Sequence, residues 1–573
     1  MGRDIAWSFV HGAHMDASFT GYSLLLIAVF IALVAPFTSQ VAKGLTAFIA
    51  YPLLIIISIL TVIDVVLFGH WGCRLDTTPL QYLTHPKEIL LGSLSAIHTL
   101  LLLAAVIVWT WLWTRLFAKK VMAVFPQKRL AWRHILSFLF IAALCIIPIR
   151  GSFGTAPMNH GMVFFSKNSL VNQATLNMPW NLMYALTHQD RSKSYKFMTE
   201  DEAHRLAQPY FSSLADSSIH HPQFIIHQPC NVLIIILESA GANLIACAGG
   251  ESGLSPCFDS LAGEGILFPH VYASGHRTER GVLAALSGYP SQTTNSVMRV
   301  DKKMRKLPAL SRDFAQQNYN TAFFYGGDIS FVNMRSYVLE TGFNRYTSVA
   351  DFASKQQSSK WGAHDEFLYA RTFAELDTMR KPFFAAVLTL SNHEPYEVPM
   401  TPVIKGTADD AMRNAMVYAD RCLGDFVAQC KQKTWWDSTL VVLVADHGKV
   451  MPPTARYDTA TIRIPMLWLG GALGGTAKRV NKIASQHDLA ATLLRQLSMP
   501  TAHYLFSRNI LDPIAPAFAM HIFSDGFTFI TDSLAITYDN TAHSVVGGMA
   551  TDSLALREAQ AIFQVYNEDF VKY

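Results

Sequence analysis

Residues 231–239 read NVLIIILES, six consecutive apolar residues closed by Glu238 and Ser239. Four of the six are β-branched, and a run this short and this uniformly apolar suits a strand buried on both faces of a sheet. Three more stretches repeat the pattern. TLVVLVADHG (439–448) ends in Asp446 and His447, PFFAAVLTLSNHEP (382–395) reaches His393, and TAFFYGGD (321–328) ends at Asp328. Helical patterns lie between them, at Leu307–Gln317 and Asp409–Gln429. Strands alternating with helices predict an α/β domain with a mostly parallel central sheet. In such sheets ligands bind beyond the carboxyl ends of the strands, where this sequence places carboxylates and histidines.

Those strand ends carry a chemistry. Glu238, Asp446 and His447 offer two hard oxygens and an imidazole, a set suited to one divalent metal, Mn²⁺, Mg²⁺ or Zn²⁺. Taken singly each has a plainer role, Glu238 as a helix cap and Asp-His-Gly as a turn. The stretch YASGHRTERGVLAALSGYPS (272–291) places Thr278 where a loop enters a helix, beside His276, Arg277 and Arg280. Helix N-terminal amides attract anions, and a metal converts a hydroxyl into a usable nucleophile. Thr278 is thus either a nucleophile toward a phosphate ester or an ordinary N-cap.

The 573 residues exceed one ordinary domain, and their apolar character is uneven. Mean hydropathy is +0.22 and only 15% of residues are charged, but the excess lies before Arg150. Four runs there read as membrane spans: Tyr22–Phe37, Leu45–Phe68, Glu88–Arg115 and the shorter His134–Ile149. The acid-free segment Ala118–Arg133, with Lys119, Lys120, Lys128, Arg129 and Arg133, is expected to be cytoplasmic, which puts the region after Arg150 outside. Residues 1–150 therefore form a helical transmembrane domain, 151–224 a helical juxtamembrane linker and 225–573 the catalytic domain. SLVNQATLNMPWNLMYALTH (169–188) has helical periodicity that fits either a membrane surface or a packed core. A net charge of +4 with no basic tract excludes a nucleic-acid partner. Of seven cysteines, Cys247 and Cys257 could close a Gly-rich loop or remain free thiols.

From about Tyr22 onward the chain resembles the lipoteichoic acid synthase-like phosphotransferases of the alkaline phosphatase and sulfatase superfamily. The blocks that carry the resemblance are NVLIIILES, ASGHRTERG with LSGYPSQ, YGGDISFVNMRSY, WGAHDEFLY, LTLSNHEPYEVP, VVLVADHGK, and IPMLWLGG with QHDLAATLLRQL, in the family's order. The resemblance implies that Glu238, Thr278, Asp446 and His447 bind one divalent metal, most often Mn²⁺, with Thr278 also the nucleophile. It implies that His393 sits near the transferred phosphate, and that Arg277, Asp328, Asn333 and Arg335 are substrate contacts. Family members remove phosphoglycerol from a phospholipid donor and pass it to an acceptor hydroxyl on a glycan, polymer or lipid; related enzymes move phosphoethanolamine. Expected with this are a phospho-threonine intermediate and a cytoplasmic (inner) membrane location with the catalytic domain periplasmic or extracellular. A hydrolase and a non-catalytic lipid-binding regulator are the alternatives.

The headgroup block departs from the Gram-positive pattern: Val332 stands where an aromatic is usual, and Arg335 is displaced by one place. Asp328 either favours a cationic ethanolamine or caps a turn. The family commonly has five spans, and AWSFVHGAHMDAS (6–18) resembles the segment after its first. His487 and Asp488 match a second-metal position in some relatives, but Asp488 opens a helical pattern and is expected to be an N-cap. Asp365 and Glu366 are expected to be structural or acceptor-side.

Overall fold

The computed structural model describes residues 2–34, 37, 39–71, 74–75, 96–124, 131–154, 156–166, 168–187, 194–211, 226, 229–293, 296–406, 409–449, 458–524, 526–548 and 553–572. They form two compact units, Met1–Gln189 and Asp190–Tyr573, so the expected linker 151–224 falls on both sides of the division.

Among the described residues of the first unit, three helical stretches are long and apolar enough to cross a membrane: Arg3–Val34, Ser39–Val65 and Trp132–Arg150. The first begins well before the apolar run that announced it, because AWSFVHGAHMDAS continues the same helix, Gly2–Val34. The short fourth run lengthens to 19 residues by joining helix Trp132–Leu144 to Ile146–Arg150. The expected span Glu88–Arg115 starts outside the described residues and continues as helix Ala96–Lys120. Asp64, the charge inside the second run, is buried and paired with Arg74 at 3.1 Å, and its other oxygen accepts from Leu75 N at 2.6 Å. A carboxylate this buried is accommodated by such partners. The 169–188 stretch folds as helices Ser169–Ala174 and Met178–Thr187. It packs inward: Met178 and Leu182 join Leu75, Leu60 and Ile63, and Trp180 Nε1 donates to Ser18 Oγ at 3.1 Å. Packed core is therefore the outcome for that segment.

The second unit is built on a nine-stranded mixed sheet. Its strands are β1 (Asn231–Leu237), β2 (Ile266–Tyr272), β3 (Asn320–Tyr325), β4 (Arg345–Thr347), β5 (Phe383–Leu388), β6 (Thr439–Ala445), β7 (Arg463–Leu469), β8 (Lys478–Arg479) and β9 (Ala484–Ser485). Their order is β4-β3-β5-β1-β6-β7-β2-β8, with β9 also on β2. Only β7 runs against its neighbours. Every residue of β1, β5 and β6 is buried, which explains why they carry no alternation of polar and apolar residues. A second, antiparallel sheet, β10 (Phe518–Phe523) to β13 (Ser544–Gly548) through β11 (Gly526–Thr531) and β12 (Ala535–Asp539), was not anticipated. Helices Glu200–Phe211 and Ser553–Lys572 pack together through Tyr210 and Glu558, 2.7 Å apart. Cys247 and Cys257 are both free, as are the other four cysteines among the described residues.

Candidate metal and nucleophile site

Parallel pairing fixes the site. Leu237 on β1 is paired with Ala445 on β6, and Ile236 with Leu388 on β5. The residues that follow, Glu238, Asp446 and Thr389, must emerge side by side at one sheet edge. Glu238 N donates to Thr389 Oγ1 at 2.9 Å, and Asp446 N to Leu237 O at 3.1 Å. One ligand atom from each of Glu238, Asp446 and His447 lies within 4.8 Å of the others.

Ser239 hydrogen-bonds to both carboxylates. Its φ is +51°, a left-handed conformation that a side chain tolerates at a cost of about 1–3 kcal/mol. The strain aims its N–H at Asp446 Oδ1 (2.7 Å) and its hydroxyl at Glu238 Oε1 (2.9 Å). His447 N also donates to Asp446 Oδ1 (2.7 Å), and His447 Nδ1 meets Gly448 O at 2.9 Å, leaving Nε2 as the nitrogen 3.4 Å from Asp446 Oδ2. Asp446 Oδ2 is buried without a hydrogen-bond partner. Burial and the Asp446 charge together push the Glu238 carboxyl well above its ordinary range. Burial, with Glu238, Asp328 and Asp446 nearby, likewise raises Tyr325 and keeps it protonated.

Thr278 opens helix Thr278–Ser287, but it is not the cap. Arg277 occupies that position in extended conformation, and the Thr278 hydroxyl instead donates to Glu238 Oε2 at 3.3 Å. The nucleophile candidate is thereby aimed at the candidate metal group. The helix can lie this close because residue 281 is glycine: a Cβ there would stand 2.2 Å from Asp446 O. His521 approaches from β10, with Nδ1 on Ala273 O at 2.7 Å. Burial holds its pKa down to about 4, and Arg280 and His447 add repulsion.

The donor set passes a test for a divalent cation: two buried carboxylates repel each other, one oxygen is unpartnered, and an imidazole and a hydroxyl complete the group. A second group of this type among the described residues, Glu200, His204 and Glu568, is a brace between two helices. Glu200 is paired with Lys572, and Glu568 with His204 (3.3 Å) and Gln564 (2.9 Å).

The other expected residues divide. His393 is half-buried on the loop after β5, its Nδ1 on Glu394 O (2.9 Å) and its ring 4.2 Å from that of Trp361. Arg277 is exposed beside Thr278. Asp328 accepts from Ser330 N at 2.9 Å, so it caps a turn. Asn333 is not brought to a ligand: it is buried, donates to Met298 O (2.9 Å) and accepts from Ser336 Oγ (2.7 Å). Arg335 stacks over Tyr346, 5.5 Å from the ring centre. Asp488 is neither metal ligand nor N-cap. His487 holds the cap position, and Asp488 is bound by Ser485 N (2.8 Å) and by the buried Arg508. Thr389 and Asn392 went unnoticed although they share a block with His393. His521 had no sequence signal, since it arrives from the second sheet.

Comparison with known proteins agrees with the fold. Residues 230–499 match the Sulfatase family model. The chain is 23% identical over 304 residues to lipoteichoic acid synthase 2 of Bacillus subtilis, covering 48% of this chain and 46% of that one. It is 25% identical over 284 residues to phosphoglycerol transferase I of Xanthomonas euvesicatoria, covering 46% and 40%. The chain thus spans about half the length of the curated relatives it matches. Among solved structures, an alkaline phosphatase superfamily protein from Vibrio parahaemolyticus superposes with TM-score 0.58 at 25% identity, over 66% of this chain and 98% of that one. The lipoteichoic acid synthase LtaP from Listeria monocytogenes superposes with TM-score 0.53 at 18% identity, over 64% and 98%. The chain therefore carries a Sulfatase-family domain over residues 230–499 and is similar to lipoteichoic acid synthases and phosphoglycerol transferases and to a solved member of the alkaline phosphatase superfamily.

Proposed function

We propose that this protein is a membrane-anchored, metal-dependent phosphotransferase that moves phosphoglycerol or phosphoethanolamine from a phospholipid to an acceptor hydroxyl. The observation that carries the reading is the Thr278 hydroxyl, turned from helix capping toward Glu238 at the edge shared with Asp446 and His447. Glu238, Thr278, Asp446 and His447 would hold one divalent cation, Mn²⁺ being the best fit to the family. Such a cation neutralises the two carboxylates, activates the hydroxyl and stabilises charge on the phosphoryl oxygens.

The chain's own residues supply the rest. Thr278 Oγ, its proton already directed at Glu238 Oε2, forms a bond to phosphorus as the bond to the lipid oxygen breaks. Diacylglycerol leaves with that oxygen and gains a proton, for which His393 Nε2 is suited because Nδ1 is engaged by Glu394 O. An acceptor hydroxyl then attacks phosphorus, giving its proton to the His393 Nε2 that protonated diacylglycerol, and Thr278 Oγ departs, taking back the proton it passed to Glu238 Oε2. The acceptor is a glycan, polymer or lipid. Arg277 at the open helix end suits the phosphate. Asp328, occupied with its turn, gives little support to a cationic headgroup, which weighs toward phosphoglycerol. The charge bias of Ala118–Arg133 supports a catalytic domain outside the cytoplasmic membrane.

Separately labelled phosphatidylglycerol and phosphatidylethanolamine, followed by mass spectrometry of the products, test the reading. One headgroup is expected to transfer with release of diacylglycerol, and Thr278→Ala to stop it. Loss of neither headgroup, or undiminished release by the variant, refutes it.

A further inference from the structure

Behind the site lies a small cavity, lined by apolar as well as polar side chains, that its chemistry does not use. Glu238, Asp365, Tyr369, Thr389, Asn392 and Asp420 contribute to its wall, and about 10 Å³ is open to the centre of a water, room for one. Asp365 is fully buried at the start of helix Asp365–Thr378. Its Oδ1 accepts from Leu390 N (2.9 Å) and Ser391 N (3.2 Å), and its own N–H donates to Ser391 Oγ (2.9 Å). The next residue continues the chain of contacts: Asn392 Nδ2 donates to Glu238 O (3.2 Å) and Ser239 O (3.3 Å). Thr389 meanwhile receives Glu238 N. The loop 389–393 therefore grips the backbone of a metal ligand on one side and presents His393 on the other, and Asp365 sets its shape. Asp365 Oδ2, Asn392 Oδ1 and Tyr369 Oη, all buried in cavity-lining residues, have no hydrogen-bond partner within the protein. Buried polar atoms rarely go unpaired, and three around one small cavity imply a shared partner.

We infer that Asp365 and Asn392 are positioning residues of the transfer centre, fixing Glu238 and His393 through one loop, with an ordered water bridging them in the cavity. The role in turnover rests on the proposed phosphotransfer; the role in metal binding does not. Partners one layer behind a metal ligand commonly change affinity by about 10–100-fold when removed.

The test measures Mn²⁺ binding by electron paramagnetic resonance, and kcat and KM for headgroup release, on the full chain in detergent. Asp365→Ala is expected to weaken Mn²⁺ and lower kcat by about 10-fold or more while KM stays within about 3-fold. Asp365→Asn, which retains the Oδ1 acceptor, is expected to restore both. Asn392→Ala leaves the Asp365 clamp in place and is expected to weaken Mn²⁺ alike, so a failure of Asp365→Ala to fold does not shelter the inference. Wild-type Mn²⁺ affinity in Asn392→Ala overturns the positioning role, as does an Asp365→Asn no better than a folded Asp365→Ala. A high-resolution crystal structure with a dry cavity overturns the water. If wild type releases neither headgroup while Mn²⁺ binding still responds, the phosphotransfer reading fails and the positioning role stands.

Discussion

Gly281→Ala sets two physical effects against each other. In an exposed helix the change would gain about 1 kcal/mol, since alanine is the better helix former. Here the added Cβ would meet Asp446 O at 2.2 Å, and Asp446 C and Cα at 2.7 Å. These are backbone atoms of a proposed metal ligand at the end of a buried strand, so they cannot swing aside as a side chain would. Reaching ordinary contact requires helix Thr278–Ser287 to retreat by roughly 1 Å, and overpacking of that kind costs about 1–3 kcal/mol. Sterics therefore win, by up to about 2 kcal/mol net destabilisation. The retreat also carries Thr278 away from Glu238, whose contact is already long at 3.3 Å. A misplacement near 1 Å costs about 100-fold in rate. Urea unfolding and diacylglycerol release, measured on the same preparation, read the two effects separately. A variant more stable than wild type with undiminished release would refute the claim that this glycine sets the distance between nucleophile and metal ligands.

Other expectations follow from single contacts. Arg508→Met strips the buried Asp488 of its partner, and a loss of about 3–5 kcal/mol is expected in urea unfolding, with Mn²⁺ affinity unchanged in the folded fraction. Burial raises Asp365 from its ordinary 3.8 to about 6, so the folded state holds this proton more tightly than the unfolded chain. Stability present below pH 4 is lost as pH rises to about 6, amounting to about 3 kcal/mol at neutral pH. Asp365→Asn should remove that loss, so its unfolding midpoint should gain on wild type between pH 4 and 7; parallel curves would refute the assignment. Chelation should abolish headgroup release and Mn²⁺ should restore it, while full activity in excess chelator would contradict the ligand set.

The sheet was legible because its central strands are buried on both faces, which forces runs such as 232–237 and 440–445 to be apolar throughout. The proposed metal ligands Glu238 and Asp446 stood out for the same reason, as the first polar residues after such runs. The surroundings of Asp328 and Asn333 were not legible. Asp328 and Asn333 read as available polar groups, and only packing showed one bound to Ser330 N and the other enclosed with its amide engaged.

Local sequence alone therefore determined which residues end the strands, where the apolar helices lie, and that Thr278 begins a helix. Register decided what those residues become. Pairing of Leu237 with Ala445 makes Glu238 and Asp446 neighbours, and the Ser239–Asp446 hydrogen bond spans 207 positions of chain. The absence of a Cβ at Gly281 lets the Thr278 helix close on them. Whether that threonine caps its helix or faces the ligands depends on which acceptor lies within reach, and the choice of Glu238 Oε2 is made by long-range packing that no window of sequence contains.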